Sequence, residues 1–201
     1  INPIEEKRVS WDKEDIHFME KWINVLPHEM IDNNLSLLQA QSVIAQYKYD
    51  LEKLLILTDK AESFYQNSNF NKELYGEWCH QKGWFLVFVE GNINEGLKVL
   101  SKSLEFLPEY PVTLVRAEAE MLYALAMQMN GLGAEALEQV EKKIVLRDPE
   151  KGSLYERLVY AKMAINLLSG ILVESRVEAI RFMNYAQLNL LLTFSCGLPG
   201  S

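Results

Sequence analysis

Apolar residues recur three and four positions apart through most of the chain, the spacing that lays one face of a helix against a core. Met121, Leu122, Leu125 and Met129 form such a stripe, with Glu118 and Gln128 flanking it. No segment sustains the apolar and polar alternation of a half-buried strand. The pattern predicts about nine helices, over 12–25, 34–47, 51–66, 71–90, 94–107, 112–130, 134–146, 153–170 and 175–194. Turn-forming residues mark the breaks, among them Asn33-Asn34, Tyr49-Asp50, Gly91-Asn92, Pro108 to Pro111, Gly131 to Gly133 and Asp148 to Gly152. Connections this short make consecutive helices antiparallel neighbours.

The helices follow a longer period. From Gly91 to Pro108 the chain has a breaking glycine, the cap-capable Asn92, small residues at Gly96 and Ser103, the large Leu100 between them, and a closing proline. That order looks like the second helix of a tetratricopeptide repeat, where small residues let paired helices approach closely. Sliding it along the chain aligns Leu54, Gly96, Ala136 and Ala179, which are 42, 40 and 43 residues apart. The fold class this predicts is all-α: a right-handed superhelical array of antiparallel helix pairs. It forms a single repeat domain over 1–201, with an N-terminal helix at 12–25 and units at 34–66, 71–108, 112–149 and 153–194. Two positions break the template: Trp84 stands where the first helix usually has glycine, and Lys143 fills a small-residue slot.

Composition narrows the function. The 201 residues carry 20 Lys+Arg against 28 Asp+Glu, a formal charge of −8, and 49% of them are hydrophobic. An acidic chain of this kind lacks the positive field that attracts a phosphate backbone or an anionic membrane, so neither direct nucleic-acid nor membrane binding is expected. Two cysteines, Cys79 and Cys196, support neither a disulfide framework nor a paired-cysteine metal knuckle, which suits a reducing, cytoplasmic setting. Phe182 to Ser201 has no charged side chain, but Asn184, Gln187, Asn189 and the Gly-Leu-Pro-Gly ending favour a buried helix over a membrane span. With Ile1 first and no signal segment, the chain reads as a piece of a longer protein.

Patterns that resemble catalytic motifs fail on their spacing or on missing partners. Trp84 to Val89 followed by Gly91 and Gly96 imitates a strand entering a phosphate loop, yet Leu97-Lys98 stand where that loop needs lysine and then a hydroxyl residue. Glu14/His17 and Glu77/His80 have the Glu-x-x-His spacing of carboxylate-bridged metal bundles, but no helix before Glu14 supplies the extra carboxylate. Cys79 and His80 are adjacent, so on a helix they project about 100° apart and cannot act as a nucleophile and its base. No cofactor and no metal is expected, and the chain is read as a non-enzyme.

A surface remains. In stacked helix pairs of the tetratricopeptide kind the first helix of each lines the concave side, which nominates Gln39, Gln46 and Tyr47, then Trp78, Gln81 and Phe85. The later pairs add Glu118, Met121, Gln128, Arg157 and Tyr160. Amides beside flat rings suit a peptide or a small effector such as a sugar, and about half of these residues are expected to pack as core. On that basis, replacing Trp78 and Gln81 by alanine should remove binding and leave melting unchanged.

Ser10 to Ile31 (S-W-D-K-E-D-I-H-F-M-E-K-W-I-N-V-L-P-H-E-M-I) resembles the start of the helical repeat region in MalT-like, large ATP-binding LuxR-family transcriptional regulators. Leu35 to Leu55 resembles that region's next helix pair, and Gly91-Asn92, Gly96-Leu97 and Leu107-Pro108 resemble a later one. The likeness covers Ser10 to about Leu146 and implies an effector-sensing segment that joins an ATPase to a helix-turn-helix and takes part in self-association. A general tetratricopeptide adaptor for a partner peptide and a helical-bundle metal oxidoreductase are the alternatives. The predicted groove has Arg157 in place of the several cationic clamps that such adaptors place along it.

Overall fold

The computed structural model of the chain describes residues 13–67, 71–109, 113–145 and 153–183. Ten helical segments lie among them: α1 (Lys13–Asn24), α2 (His28–Asp32), α3 (Leu35–Tyr47), α4 (Leu51–Asn67), α5 (Lys72–Phe88), α6 (Ile93–Phe106), α7 (Leu114–Met129), α8 (Gly133–Val145), α9 (Ser153–Leu168) and α10 (172–183). No strand occurs among the described residues. The short α2 escaped the periodicity because five residues are too few to display it. Expectations for Cys196, Pro149 and the predicted helix beyond Met183 lie outside the described residues.

Local chemistry sets the helix starts. Asn34 Oδ1 accepts from the Leu37 N–H, Asn71 Oδ1 from Glu73 and Leu74, Asn92 Oδ1 from Glu95, and Thr113 Oγ1 from Arg116. Each bond satisfies an amide that the first helical turn leaves without a partner, and each such cap contributes about 1 kcal/mol.

Within pairs the first and second helices are antiparallel. In α5 and α6, Gly76 faces Leu107, Gly83 faces Leu100 and Val87 faces Gly96, so partners fall along one helix as they rise along the other. α5 packs on α6, α7 on α8 and α9 on α8, while first helices meet one another at α5/α7 and α7/α9. The core is correspondingly distributed. One cluster joins α1 to α5 through Ile16, Ile23, Ile31, Leu38, Leu54 and Phe85; a second around Trp78 and Val99 joins α4, α5 and α6. Val87, Leu100, Leu122 and Ala126 then bridge α5, α6 and α7, and Ala117, Ala136, Val140, Leu158 and Ile165 bridge α7, α8 and α9. Burying each leucine or isoleucine contributes about 1.5–3 kcal/mol. This all-helical stack of pairs has the predicted fold class.

The turns keep the first two expected steps of the cadence and correct the third from 43 residues to 39, which makes Ser175, not Ala179, the counterpart of Ala136. Tyr49, Gly91, Gly131 and Gly170, spaced 42, 40 and 39 residues apart, all adopt positive φ where a first helix gives way to its second. In three turns an amide reaches back five residues, Asp50 to Ala45, Leu132 to Met127 and Ile171 to Asn166, the closing bond of a left-handed helix cap. The α5 turn differs: Asn92 reaches back six residues, to Leu86. That extra residue shifts the first-helix register by one. The small residue at the close approach is therefore Gly83, aligned with Ser42 and Ala124, rather than a missing glycine at Trp84.

Lys143, the other mismatch, turns inward. Its Nζ lies 2.9 Å from the buried Glu120 carboxylate, which also accepts from Arg116 Nε at 2.9 Å. Arg116 Nη1 donates to the Leu104 and Leu107 carbonyls at 2.6 and 2.7 Å, capping the end of α6. At the far end, Lys162 joins Glu141 of α8 to Glu178 of α10, and Ser175 Oγ donates to the Met163 carbonyl.

Candidate functional site

The first helices α3, α5, α7 and α9 form the wall on which the nominated residues fall, and polar groups join them laterally. Gln39 Nε2 of α3 donates to Glu77 Oε2 of α5 at 2.8 Å. His80 Nε2 of α5 lies 3.8 Å from Glu118 Oε2 of α7, and Arg157 of α9 donates to the other Glu118 oxygen at 3.1 Å. Ser169 Oγ, just beyond α9, donates to Gln128 Oε1 at 3.5 Å. Burial lowers the His80 pKa below its ordinary 6.5; Glu118 opposes this and Arg157 reinforces it, so the imidazole is held neutral. Glu118 thus bridges three helices, pairing with Arg157 and facing an uncharged His80.

Four nominated residues are core. Trp78 stacks on Tyr75 at 5.4 Å and 19°, packs against Tyr65 at 5.3 Å, and donates from Nε1 to the Thr58 carbonyl at 3.3 Å. Phe85 belongs to the cluster shared with α1 to α4, while Gln81 and Gln39 are buried. The expectation that Trp78 lines an accessible groove, and that its loss leaves melting unchanged, is corrected by this packing. The amphipathic pattern could not reveal it, because α5 meets neighbours on more than one side. Met121 is half-buried between two clusters; Gln46, Glu118, Gln128 and Arg157 are half-buried; Tyr47 and Tyr160 are exposed.

Three rings and an amide gather at one end of the wall. Gln46 and Tyr47 from the last turn of α3, Tyr49 from the following turn and Trp84 from α5 line an open cleft of about 460 Å³. Clefts of roughly 300–1,000 Å³ are the usual size for small ligands. Gln46 and Tyr47 are among the residues the helical pattern nominates; Trp84 and Tyr49 are not. Trp84 was absorbed into a hydrophobic run, and Tyr49 into a turn.

The residues of the catalytic-looking patterns take other places. Trp84 to Phe88 is helix, Gly91 closes the turn after it and Gly96 packs on Val87, so no strand leads into a phosphate loop. Glu77 engages Gln39 rather than His80. The side chain of Glu14 lies outside the described residues. Among those residues no group of three or more His, Cys, Asp or Glu is placed to hold a metal ion, and no helix is long and apolar enough to cross a membrane. Burial pushes the Cys79 thiol up to about 12, which keeps it protonated.

No family model matches the chain, and searches of curated proteins and of solved structures returned no match.

Proposed function

We propose that this chain is a non-catalytic binding module, the effector-sensing and protein-interaction segment of a cytoplasmic bacterial transcriptional regulator. The observation that carries the binding reading is the cleft where Gln46 and Tyr47 of α3 and Tyr49 of the turn after it meet Trp84 of α5. Rings offer stacking area at low entropic cost and the amide supplies directional hydrogen bonds, the combination that concave ligand sites use. The regulator context rests on the MalT-like resemblance of Ser10 to Leu55 and Gly91 to Pro108.

Mechanistically, α3 and α5 belong to successive pairs, so a ligand seated between Tyr47 and Trp84 contacts both. In an array where pairs touch mainly their neighbours, such a ligand favours one angle between them, and that preference passes along the stack. Glu118, held by Arg157 and facing His80, lies on the path from α5 to α9.

A thermal-shift screen of the full chain against neutral sugars and short peptides tests the binding reading. The expected hit raises the thermal midpoint of wild type and loses its effect in a Gln46→Ala/Tyr47→Ala variant. Hits indifferent to that pair, or none at all, refute it. The coding sequence on either side of this segment tests the context: an ATPase before it and a helix-turn-helix after it are expected.

A further inference from the structure

Glycine occupies three of the four equivalent positive-φ turns, and Tyr49 occupies the fourth, at φ +55. A Cβ added at Gly91, Gly131 or Gly170 would meet nothing within 4 Å, so space does not select glycine there; the backbone does. A tyrosine in the left-handed region carries a conformational cost that burial usually offsets. Tyr49 is 78% exposed, so its ring recovers little of that cost in the folded chain. The ring does line the cleft. Strain kept at a solvent-facing aromatic, in a turn that borders a cleft, points to something the cleft binds.

We propose that this cleft takes a proline-rich peptide segment in the extended polyproline conformation, an assignment that rests on the binding-module reading above. Among the described residues no charged side chain lines it. The adjacent charges are engaged elsewhere, Lys48 with Glu20 and Asp50 with the Lys53 N–H. The lining instead offers three flat faces together with phenol, indole and amide donors. A prolyl segment matches it group for group: rings to stack, carbonyl oxygens to accept, and no N–H of its own to satisfy. Its conformation is set before binding, which keeps the ordering cost low. A saccharide brings many hydroxyls, each needing a partner on desolvation, and one amide with three aromatic heads supplies few. A quaternary cation favours rings closed into a box, and among the described residues no ring-to-ring contact joins Tyr47, Tyr49 and Trp84.

Fluorescein-labelled decaproline, titrated with the full chain and followed by anisotropy, provides the test. Saturable binding to wild type is expected, with a labelled Gly-Ser decapeptide giving none. Tyr49→Gly should weaken decaproline binding about tenfold or more, as the loss of a stacked ring predicts, while its thermal midpoint equals or exceeds that of wild type. Tyr49→Phe should keep most of the affinity, which separates the ring's role from that of the backbone. Equal binding of the Gly-Ser peptide, no saturable decaproline binding, or undiminished affinity in Tyr49→Gly overturns the proposal. A linear glucose trisaccharide and tetramethylammonium, run by thermal shift on the same variants, separate the two levels. If decaproline fails while either stabilises wild type but not Tyr49→Gly, the peptide class falls and the binding module stands. If all three fail, both fall.

Discussion

Gly83→Ala isolates the contact on which the stacking of α5 and α6 depends. An added Cβ would lie 2.5 Å from Leu100 Cγ and 2.7 Å from Leu100 Cδ2. Leu100 is completely buried, and Cγ is the branch point of its side chain, so relief requires α6 to shift or the leucine to leave its rotamer. Overpacking of this kind costs about 1–3 kcal/mol, whereas alanine gains about 1 kcal/mol over glycine in a helix interior. Steric cost should win, by up to about 2 kcal/mol, which corresponds to a thermal midpoint lower by up to about 8 °C for a chain of this size. The decisive comparison is a double-mutant cycle followed by urea denaturation with far-ultraviolet circular dichroism. Leu100→Ala alone should lose about 2–5 kcal/mol. In that background the space beside residue 83 is free, and Gly83→Ala should become neutral or stabilising by up to about 1 kcal/mol. An equal cost in both backgrounds, or a wild-type chain made more stable by Gly83→Ala, would refute the close-approach argument.

Other outcomes follow from groups already placed. Trp78→Ala should lose about 3–5 kcal/mol in the same denaturation assay, since it removes a buried indole stacked on Tyr75 and its bond to Thr58. His80 gives a pH signature: with its folded pKa below 6.5, the unfolded chain takes the proton first, so stability is fully present above about pH 6.5 and falls as the pH drops from there toward the folded pKa. The loss between about pH 7 and pH 5.5 should be smaller in His80→Gln, and identical curves would remove His80 as its source. Glu120 acts lower in the range: burial raises its pKa but Lys143 and Arg116 outweigh that, so its contribution is present above about pH 4.5 and disappears as acid protonates it. At neutral pH, Glu120→Ala should cost about 3–5 kcal/mol, because Arg116 stays buried without its carboxylate.

The periodic pattern made the helices and their pairing legible because each pair buries a stripe against its own partner and its neighbours. The turns were legible for a chemical reason: glycine and asparagine mark where the chain must take positive φ or cap a helix. What the pattern could not convey was a single extra residue between Leu86 and Asn92, which moves every side chain of α5 by one position relative to the template. That offset concealed Gly83 behind Trp84. The nominated wall was harder still. A first helix touches its own partner and first helices on either side, so its polar face is partly interior, and Gln39, Gln81 and His80 are buried although their residue types suggest solvent. Tyr49 was visible as a turn; it becomes a candidate site residue only once the other three turns show glycine in its place.

One corrected register changes the meaning of the remaining mismatch. With α5 shifted, Cys79 corresponds to Glu120 and to Leu38, and Ser103 corresponds to Lys143 and to Ala61. The same place in successive pairs thus holds Leu38 and Ala61, then Cys79 and Ser103, then Glu120 and Lys143, running from apolar through weakly polar to ionic. Each pair satisfies its own groups: Ser103 donates to the Gly76 carbonyl at 2.8 Å, and Lys143 meets Glu120. A stack of this kind constrains backbone spacing at every repeat but lets each interior settle its polarity locally. Template matching by residue type therefore penalises Lys143, although its partner lies on the helix before it. The same freedom allows one turn of four to keep a strained, exposed tyrosine without disturbing the array, which is the condition a binding site at Tyr49 requires.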